Sequence, residues 1–281
     1  MAEPDAGFKI VARTAGPALS RLAGVPIEQW EAIGDTLQTT ERLADRAFRA
    51  RHGKHRFVVY MEAYTRWADS AVWSVLAKSG LLSERERLPT RSLIFILLPQ
   101  GYKEQHGQFR LEAEPGEPTQ HIWFREICLW KEVPQPWWTH WPGLMALYPL
   151  CNHQQEPAAA VAHAATAIRQ QEMDGYTRAD LLAILGFFGK LKHRTLDVWS
   201  IIGREQMKDS AFYQEVMAEG EQVRARKDVL RTLRVRFGEE AAKEFEQAIN
   251  RVEHLDQLDT LLELALRSRR VSQFRRAFPK T

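Results

Sequence analysis

Two acidic residues on neighbouring predicted strands are the first candidates for chemistry in this sequence. Asp45 and Glu62 lie in two apolar-rich runs that flank Gly53-Lys54, and a pair with glycine first suits a two-residue type II′ turn. With this turn, His52 pairs with His55, and counting outward along the register places Asp45 directly opposite Glu62. Side chains that lie directly opposite each other share one face of the sheet, with Cβ atoms about 5 Å apart.

Two carboxylates at this distance repel each other unless a proton or a cation lies between them. Mg²⁺ is a hard ion that prefers carboxylate oxygens, so Asp45 and Glu62 are candidate magnesium ligands. The alternative is a pair of exposed acids neutralised by the nearby Arg46, Arg49 and Arg56. An acid flanked by apolar residues within a strand is less common than an exposed acid, but the pattern alone leaves both interpretations open.

The elements that must position these acids form an α/β unit with a mixed sheet. Helical spacing, apolar runs and turn signals predict its elements in chain order. They are a helix over 5–24 interrupted at Gly16-Pro17, a short helical start over 26–30, strands within 36–50 and 56–64, a helix over 67–82, an apolar strand over 91–99, and strands over 108–114 and 120–130.

The remainder of the chain is helical in period. We expect helices over 156–171, 177–191, 195–202, 210–237, 239–250 and 255–267. The predicted organisation is an α/β core over 1–133, a helical extension packed on it over 134–203, and a long helix with a small helical domain over 204–281. The apolar stripe of the last helices suits a helical hairpin that packs on itself or on a second copy of the chain.

Composition excludes several classes of protein. The 281 residues are 44% hydrophobic and 27% charged, as in ordinary globular proteins, and the net charge of +3 permits a nucleic-acid partner without requiring one. The two cysteines, Cys128 and Cys151, form no disulfide framework. No apolar run reaches 18 residues and no apolar leader is present, so we expect a cytoplasmic protein with no membrane partner.

The order of elements resembles the core of the PD-(D/E)XK nuclease fold, in which an acid-bearing helix precedes a hairpin with one acid on each strand, then a helix and a strand. Several stretches are similar to the Rpn family of recombination-promoting nucleases and transposases, followed by a small helical domain of unknown function. The matching stretches are Asp5–Lys9, Ala44–Arg49, Met61-Glu62, Arg91–Pro99, Phe124–Trp130, Ile202–Met207 and the tail from Leu230 to Phe274.

This resemblance implies a nuclease that cleaves DNA with Mg²⁺ or Mn²⁺. Asp45 matches the central metal-binding aspartate of the family, Glu62 matches the acid of its third motif, and Asp5 is the candidate for the early acidic position. Asp5 equally suits a helix cap. Two residues after Glu62 the family has lysine or glutamine, which positions or polarises the attacking water, whereas this chain has Tyr64.

The tyrosine at position 64 leaves two expectations for the function of the protein. It shares a sheet face with Glu62 because the side-chain period of a strand is two residues, and its hydroxyl can donate a hydrogen bond but supplies no positive charge. The first expectation is a metal-dependent DNA endonuclease in which Asp45, Glu62 and Tyr64 form the catalytic site. The alternative is a catalytically impaired relative that acts as a DNA-binding or protein-interaction module.

Overall fold

The computed structural model describes residues 4–32, 46–67, 70–104, 107–114 and 117–278. Its contacts divide the chain into two compact units, Glu3–Tyr213 and Gln214–Thr281. The domain bounds expected from the sequence, 1–133, 134–203 and 204–281, stay a prediction.

The first unit contains a mixed six-stranded sheet. Its strands are β1 (Gln29–Ala32), β2 (Arg46–His52), β3 (His55–Tyr64), β4 (Thr90–Ile96), β5 (Gln108–Glu114) and β6 (Glu117–Cys128), in the spatial order β1-β2-β3-β4-β6-β5. The pairs β1·β2, β2·β3 and β5·β6 are antiparallel, whereas β3·β4 and β4·β6 are parallel. The carboxyl ends of β3, β4 and β6 therefore meet at one edge of the sheet.

Helices flank the sheet and follow it in the chain. The first unit has α1 (Pro4–Leu22), α2 (Ser70–Glu86), α3 (Pro142–Leu147), α4 (Pro157–Arg169), α5 (Gly175–Lys192) and α6 (Val198–Ile202). The following helices are α7 (Ala211–Phe237), α8 (Glu239–Asn250), α9 (Leu255–Arg267) and α10 (Val271–Ala277). None of the described helices is both long enough and apolar enough to cross a bilayer. The α/β class with a mixed, helix-flanked sheet and a helical C-terminal region is confirmed.

Both faces of the central strands are buried, because helices cover the sheet on each side. Positions 57 to 63 of β3 are buried without interruption, as expected for a strand covered on both faces. On one face Tyr60 and Ile94 belong to a core with Val75 of α2. On the other, Phe8 of α1 packs against Phe95 with ring centroids 4.9 Å apart.

The hairpin register predicted from the Gly53-Lys54 turn is confirmed. His52 pairs with His55, and the register runs without a shift to Arg46 opposite Met61. Gly53 has a φ of 56°, in the region that favours glycine. Asp45, one residue before the described part of β2, lies outside the described residues.

The short helical start expected over 26–30 is wrong. Residues from Gln29 to Ala32 instead form β1, which pairs with β2 from Arg51 to Phe48. The ring of Trp30 packs on Phe48 with centroids 4.8 Å apart. A four-residue strand has little period of its own, so pairing with a distant segment decided its conformation.

The Gln214–Thr281 unit has its own apolar core. Leu233 of α7, Phe245 of α8 and Leu258 of α9 are buried together with Phe274 of α10. The rings of Phe245 and Phe274 meet edge to face with centroids 4.9 Å apart. The apolar stripe predicted on these helices therefore packs within the unit.

Candidate functional site

A buried carboxylate on the central strand is the centre of the candidate site. Glu62 of β3 is only 4% exposed. The Nζ of Lys78, itself 8% exposed, lies 2.5 Å from Glu62 Oε1. The hydroxyl of Ser74 donates to the same oxygen at 3.4 Å, and the hydroxyl of Tyr60 donates to Oε2. Three donors from two elements therefore converge on one carboxylate.

Strand and helix periods together explain this convergence. Tyr60 and Glu62 are two residues apart on β3 and so point to the same face, toward α2. Ser74 and Lys78 are four residues apart on α2 and so lie on one side of the helix. Hydrophobic burial of α2 against this face therefore brings Lys78 onto Glu62.

The charges of this cluster neutralise each other away from water. An isolated ionised carboxylate is costly to bury, and the cost falls only when a countercharge and hydrogen bonds satisfy it. Glu62 has both, since Lys78 supplies the charge and Tyr60 and Ser74 supply further donors. Buried ionic clusters of this kind occur at functional sites as well as in structural networks.

Tyr64 lies on the same face of β3 as Glu62, because the two positions are two residues apart. Its side chain is half-buried, and its hydroxyl donates to the backbone carbonyl of Ala71 at 3.5 Å. This long hydrogen bond connects the end of β3 to the first turn of α2. The role of Tyr64 in catalysis stays a prediction.

The other predicted metal ligands are not defined by the structure. Asp45 lies outside the described residues. The backbone of Asp5 belongs to the first turn of α1, and its side chain is not among those described. The assignments of Asp45, Glu62 and Asp5 to a metal site therefore stay predictions.

Glu62 fits the role of one magnesium ligand. A carboxylate has about four lone-pair positions, and Lys78 and Ser74 use those of Oε1 while Tyr60 uses one on Oε2. One position on Oε2 is left for a cation. Between residues 4 and 278, among the residues described, no three His, Cys, Asp or Glu side chains are grouped to hold a metal ion. Asp45, the second predicted ligand, lies outside these residues.

Lys78, Ser74 and Tyr60 are site residues that the sequence pattern did not identify. Ala71, Val75 and Leu82 of α2 are buried in the core beside the sheet, and their spacing leaves position 78 on the same inward stripe. A lysine at an inward position requires a buried partner. That mismatch was visible in the sequence, but the identity of the partner was not.

No family model, curated protein or solved structure matches this chain. The resemblance to Rpn and PD-(D/E)XK nucleases therefore depends on the short motifs and on the order of the elements.

Proposed function

We propose that this protein is a magnesium-dependent DNA endonuclease of the PD-(D/E)XK type, with its active site at Glu62. One observation carries the proposal: a carboxylate buried on the central strand is held by a lysine from the facing helix. The order α1, β1, β2, β3, α2, β4 supports it, because it places a helix before the acid-bearing hairpin and a helix and parallel strand after it.

In this proposal Lys78 has the role of the family's lysine or glutamine two positions after the acid, which positions or polarises the attacking water. Tyr64 cannot supply a positive charge there, whereas the Lys78 ammonium already lies at the Glu62 carboxylate. In this proposal Lys78 binds a phosphate oxygen beside the bond to be cleaved and orients the attacking water. Asp45 and Glu62 would hold Mg²⁺, which supplies stabilisation of developing negative charge and a lower pKa for bound water.

The test is cleavage of supercoiled plasmid with Mg²⁺ or Mn²⁺. We expect wild-type protein to nick or linearise the plasmid, and Asp45→Asn, Glu62→Gln and Lys78→Met each to lose at least a hundredfold in rate. Lys54→Met, in the exposed hairpin turn, is the matched control and should retain the wild-type rate. Each variant is checked by circular dichroism, so that loss of the fold is not mistaken for loss of activity.

Cleavage that persists in Glu62→Gln with its fold intact would contradict the site. If cleavage is lost in Glu62→Gln but retained in Lys78→Met, Glu62 is needed for cleavage and Lys78 has no part in the mechanism.

A second candidate is a nuclease relative that binds DNA or a protein without cutting. The observation that favours it is that Lys78 already neutralises Glu62 and that three donors occupy its oxygens. Wild-type protein would then leave plasmid intact but retard DNA in a gel, with an affinity that falls as salt rises. Tyr64→Lys or Tyr64→Gln would restore cutting if Tyr64 is the lesion.

DNA as partner, a homodimer through the C-terminal helices and a cytoplasmic location remain proposals. Light scattering of the purified chain tests the dimer, because one chain has a mass of 32.4 kDa and a pair twice that.

A further inference from the structure

A cavity of about 970 Å³ lies at the edge of the sheet where the parallel strands end. Arg66 follows β3, Leu97 to Gln100 follow β4, and Trp130 follows β6, and all of these residues line the cavity. Ligands of open α/β sheets bind beyond the carboxyl ends of such strands. The volume is within the range of small-molecule sites. Glu62 is not among the lining residues.

Two helix ends form the opposite wall. Glu156, Pro157 and Ala158 at the beginning of α4 line the cavity, together with the segment from Leu191 to Leu196 at the end of α5. The side chain of Glu156, at the N-cap of α4, makes no hydrogen bond to the first turn of the helix. The partial positive charge of a helix N-terminus favours an anion at such a position.

The charged side chains of the cavity are mainly basic. Arg66, Lys192 and Arg194 line it against one carboxylate, that of Glu156. Within the described part of the chain, no carboxylate oxygen lies within 4.0 Å of the side-chain nitrogens of these three residues. Some other arginines of the sheet region do have such a partner, such as Arg49 with Glu86 at 2.6 Å. The cavity therefore has basic groups without a protein counterion among the described residues.

Lys192 and His193 lie next to each other in the basic part of the cavity lining. Lys192 Nζ donates to the carbonyl of Cys151 at 2.9 Å, which fixes the position of its charge. Nε2 of His193 is buried and has no hydrogen-bond partner among the described residues. Burial, and next the charge of Lys192, lower the pKa of His193.

The rest of the lining is mainly apolar and aromatic, with Gln100 and Thr195 as its uncharged polar side chains. Leu97, Leu150, Leu191 and Leu196 line the cavity with the half-buried ring of Trp130. A bare inorganic anion would leave this surface unused. A ligand with both an anionic group and a planar or apolar body would contact both parts of the wall.

We propose that this cavity binds the phosphate and base of a nucleotide, either free or at the 5′ end of a DNA strand. Arg66 and Arg194 bind phosphate oxygens, since a guanidinium presents paired donors that match them. Trp130 and the leucines contact the base. The proposal does not depend on the nuclease function, because it uses none of the residues around Glu62.

Binding is measured by calorimetry with the wild-type protein in EDTA, so that no metal-dependent cleavage contributes. The probes are dAMP, deoxyadenosine, inorganic phosphate and a short 5′-phosphorylated oligodeoxynucleotide. We expect dAMP to bind with a dissociation constant below 1 mM and at least tenfold more tightly than either deoxyadenosine or phosphate alone. Competition between dAMP and the oligonucleotide would show that a strand end uses the same cavity, and no competition would assign it to the free nucleotide.

Charge variants then locate the site. Arg66→Gln and Arg194→Gln should each weaken dAMP binding about tenfold, and Glu156→Gln should strengthen it about threefold, because it removes the single opposing charge. Arg204→Gln, an exposed arginine outside the lining, is the control. No dAMP binding at 5 mM, or equal affinity in all of these variants, would overturn the proposal, as would phosphate binding as tightly as dAMP.

Discussion

Glu62 carries a charge on a strand whose neighbouring positions are buried. Its environment differs from that of an exposed ion pair, which contributes little to stability. Breaking a buried pair leaves an uncompensated charge and is strongly destabilising. The Glu62–Lys78 contact is therefore the residue-scale feature whose loss is easiest to measure.

Lys78→Met is expected to lower the free energy of unfolding by about 3 kcal/mol or more, because Glu62 would lose its countercharge inside the protein. The combined variant Glu62→Gln and Lys78→Met should be less destabilised than the sum of the two single variants. Urea denaturation measures all three. Additive effects would show that the two charges do not interact, and Lys54→Met serves as the control for loss of a lysine.

Tyr60→Phe is expected to destabilise the protein by about 1.5–3 kcal/mol, because the buried Glu62 carboxylate would lose a donor. Tyr64→Phe is the matched control on the same face, and it removes the 3.5 Å hydrogen bond from the Tyr64 hydroxyl to the carbonyl of Ala71. We expect it to cost less than about 1 kcal/mol. Equal effects in urea denaturation would contradict the importance of Tyr60 for Glu62.

At the scale of elements, close packing between α1 and α3 is a test of the fold. A Cβ added to Gly143 of α3 would lie 2.7 Å from the Cβ of Ala15 and 3.2 Å from the carbonyl oxygen of Val11. These atoms belong to the part of α1 where the helix kinks at Ala15. Gly80 of α2, by contrast, has nothing within 4 Å of such a Cβ.

Gly143→Ala is therefore expected to lower the free energy of unfolding by about 1–3 kcal/mol, because the added methyl group overpacks the contact between α1 and α3. Gly80→Ala should raise it by about 0.5–1 kcal/mol, since alanine is the better helix former. Thermal denaturation of both variants makes the comparison. A neutral Gly143→Ala would show that α1 and α3 separate at little cost.

His153, in the segment between α3 and α4, is expected to make the stability of the protein depend on pH. Burial, and next the charge of Lys192, lower the pKa of His153. In the unfolded chain His153 binds a proton near the ordinary histidine pKa of about 6.5, whereas in the folded chain it binds a proton only at a lower pH. Stability contributed by the neutral ring is therefore present above that pH and is lost as the pH falls toward the lowered folded-state pKa.

We expect the urea midpoint of the wild type to fall between pH 7.5 and pH 5, and His153→Asn to show a smaller fall. His55→Asn, at the exposed first position of β3, is the control and should follow the wild type. An identical pH dependence in His153→Asn would exclude this histidine as a source.

At the scale of the whole molecule, the two units have separate apolar cores. All nine tryptophans occur at or before Trp199, so tryptophan fluorescence reports on the Glu3–Tyr213 unit alone. Circular dichroism reports on the helices of both units. The two signals therefore distinguish effects on one core from effects on the other.

Phe245→Ala is expected to destabilise the Gln214–Thr281 unit by about 3–5 kcal/mol, because Phe245 is 6% exposed within its core. The circular dichroism transition should shift while the tryptophan fluorescence transition stays at the wild-type midpoint. Val235→Ala, at a position 77% exposed in the same unit, should change neither. Equal shifts of both signals would show that the units unfold together.

Local patterns in the sequence determined much of the fold and one residue of the candidate site, the buried acid Glu62. The Gly53-Lys54 turn fixed the hairpin register, because a two-residue loop leaves one pairing. The continuous apolar run from Leu93 to Leu98 predicted a strand, and periodicity located the helices over 239–250 and 255–267. Glu62 stood out because an acid interrupts an apolar strand.

Only the tertiary structure decided what surrounds Glu62 and where the basic cavity lies. Lys78 is 16 residues from Glu62 along the chain, and Arg66, Trp130 and Arg194 are farther apart still. Residues so distant meet only through the packing of α2 on the sheet and the parallel order of β3, β4 and β6. No local period encodes such contacts, because they depend on which faces the helices bury and which strand ends share an edge.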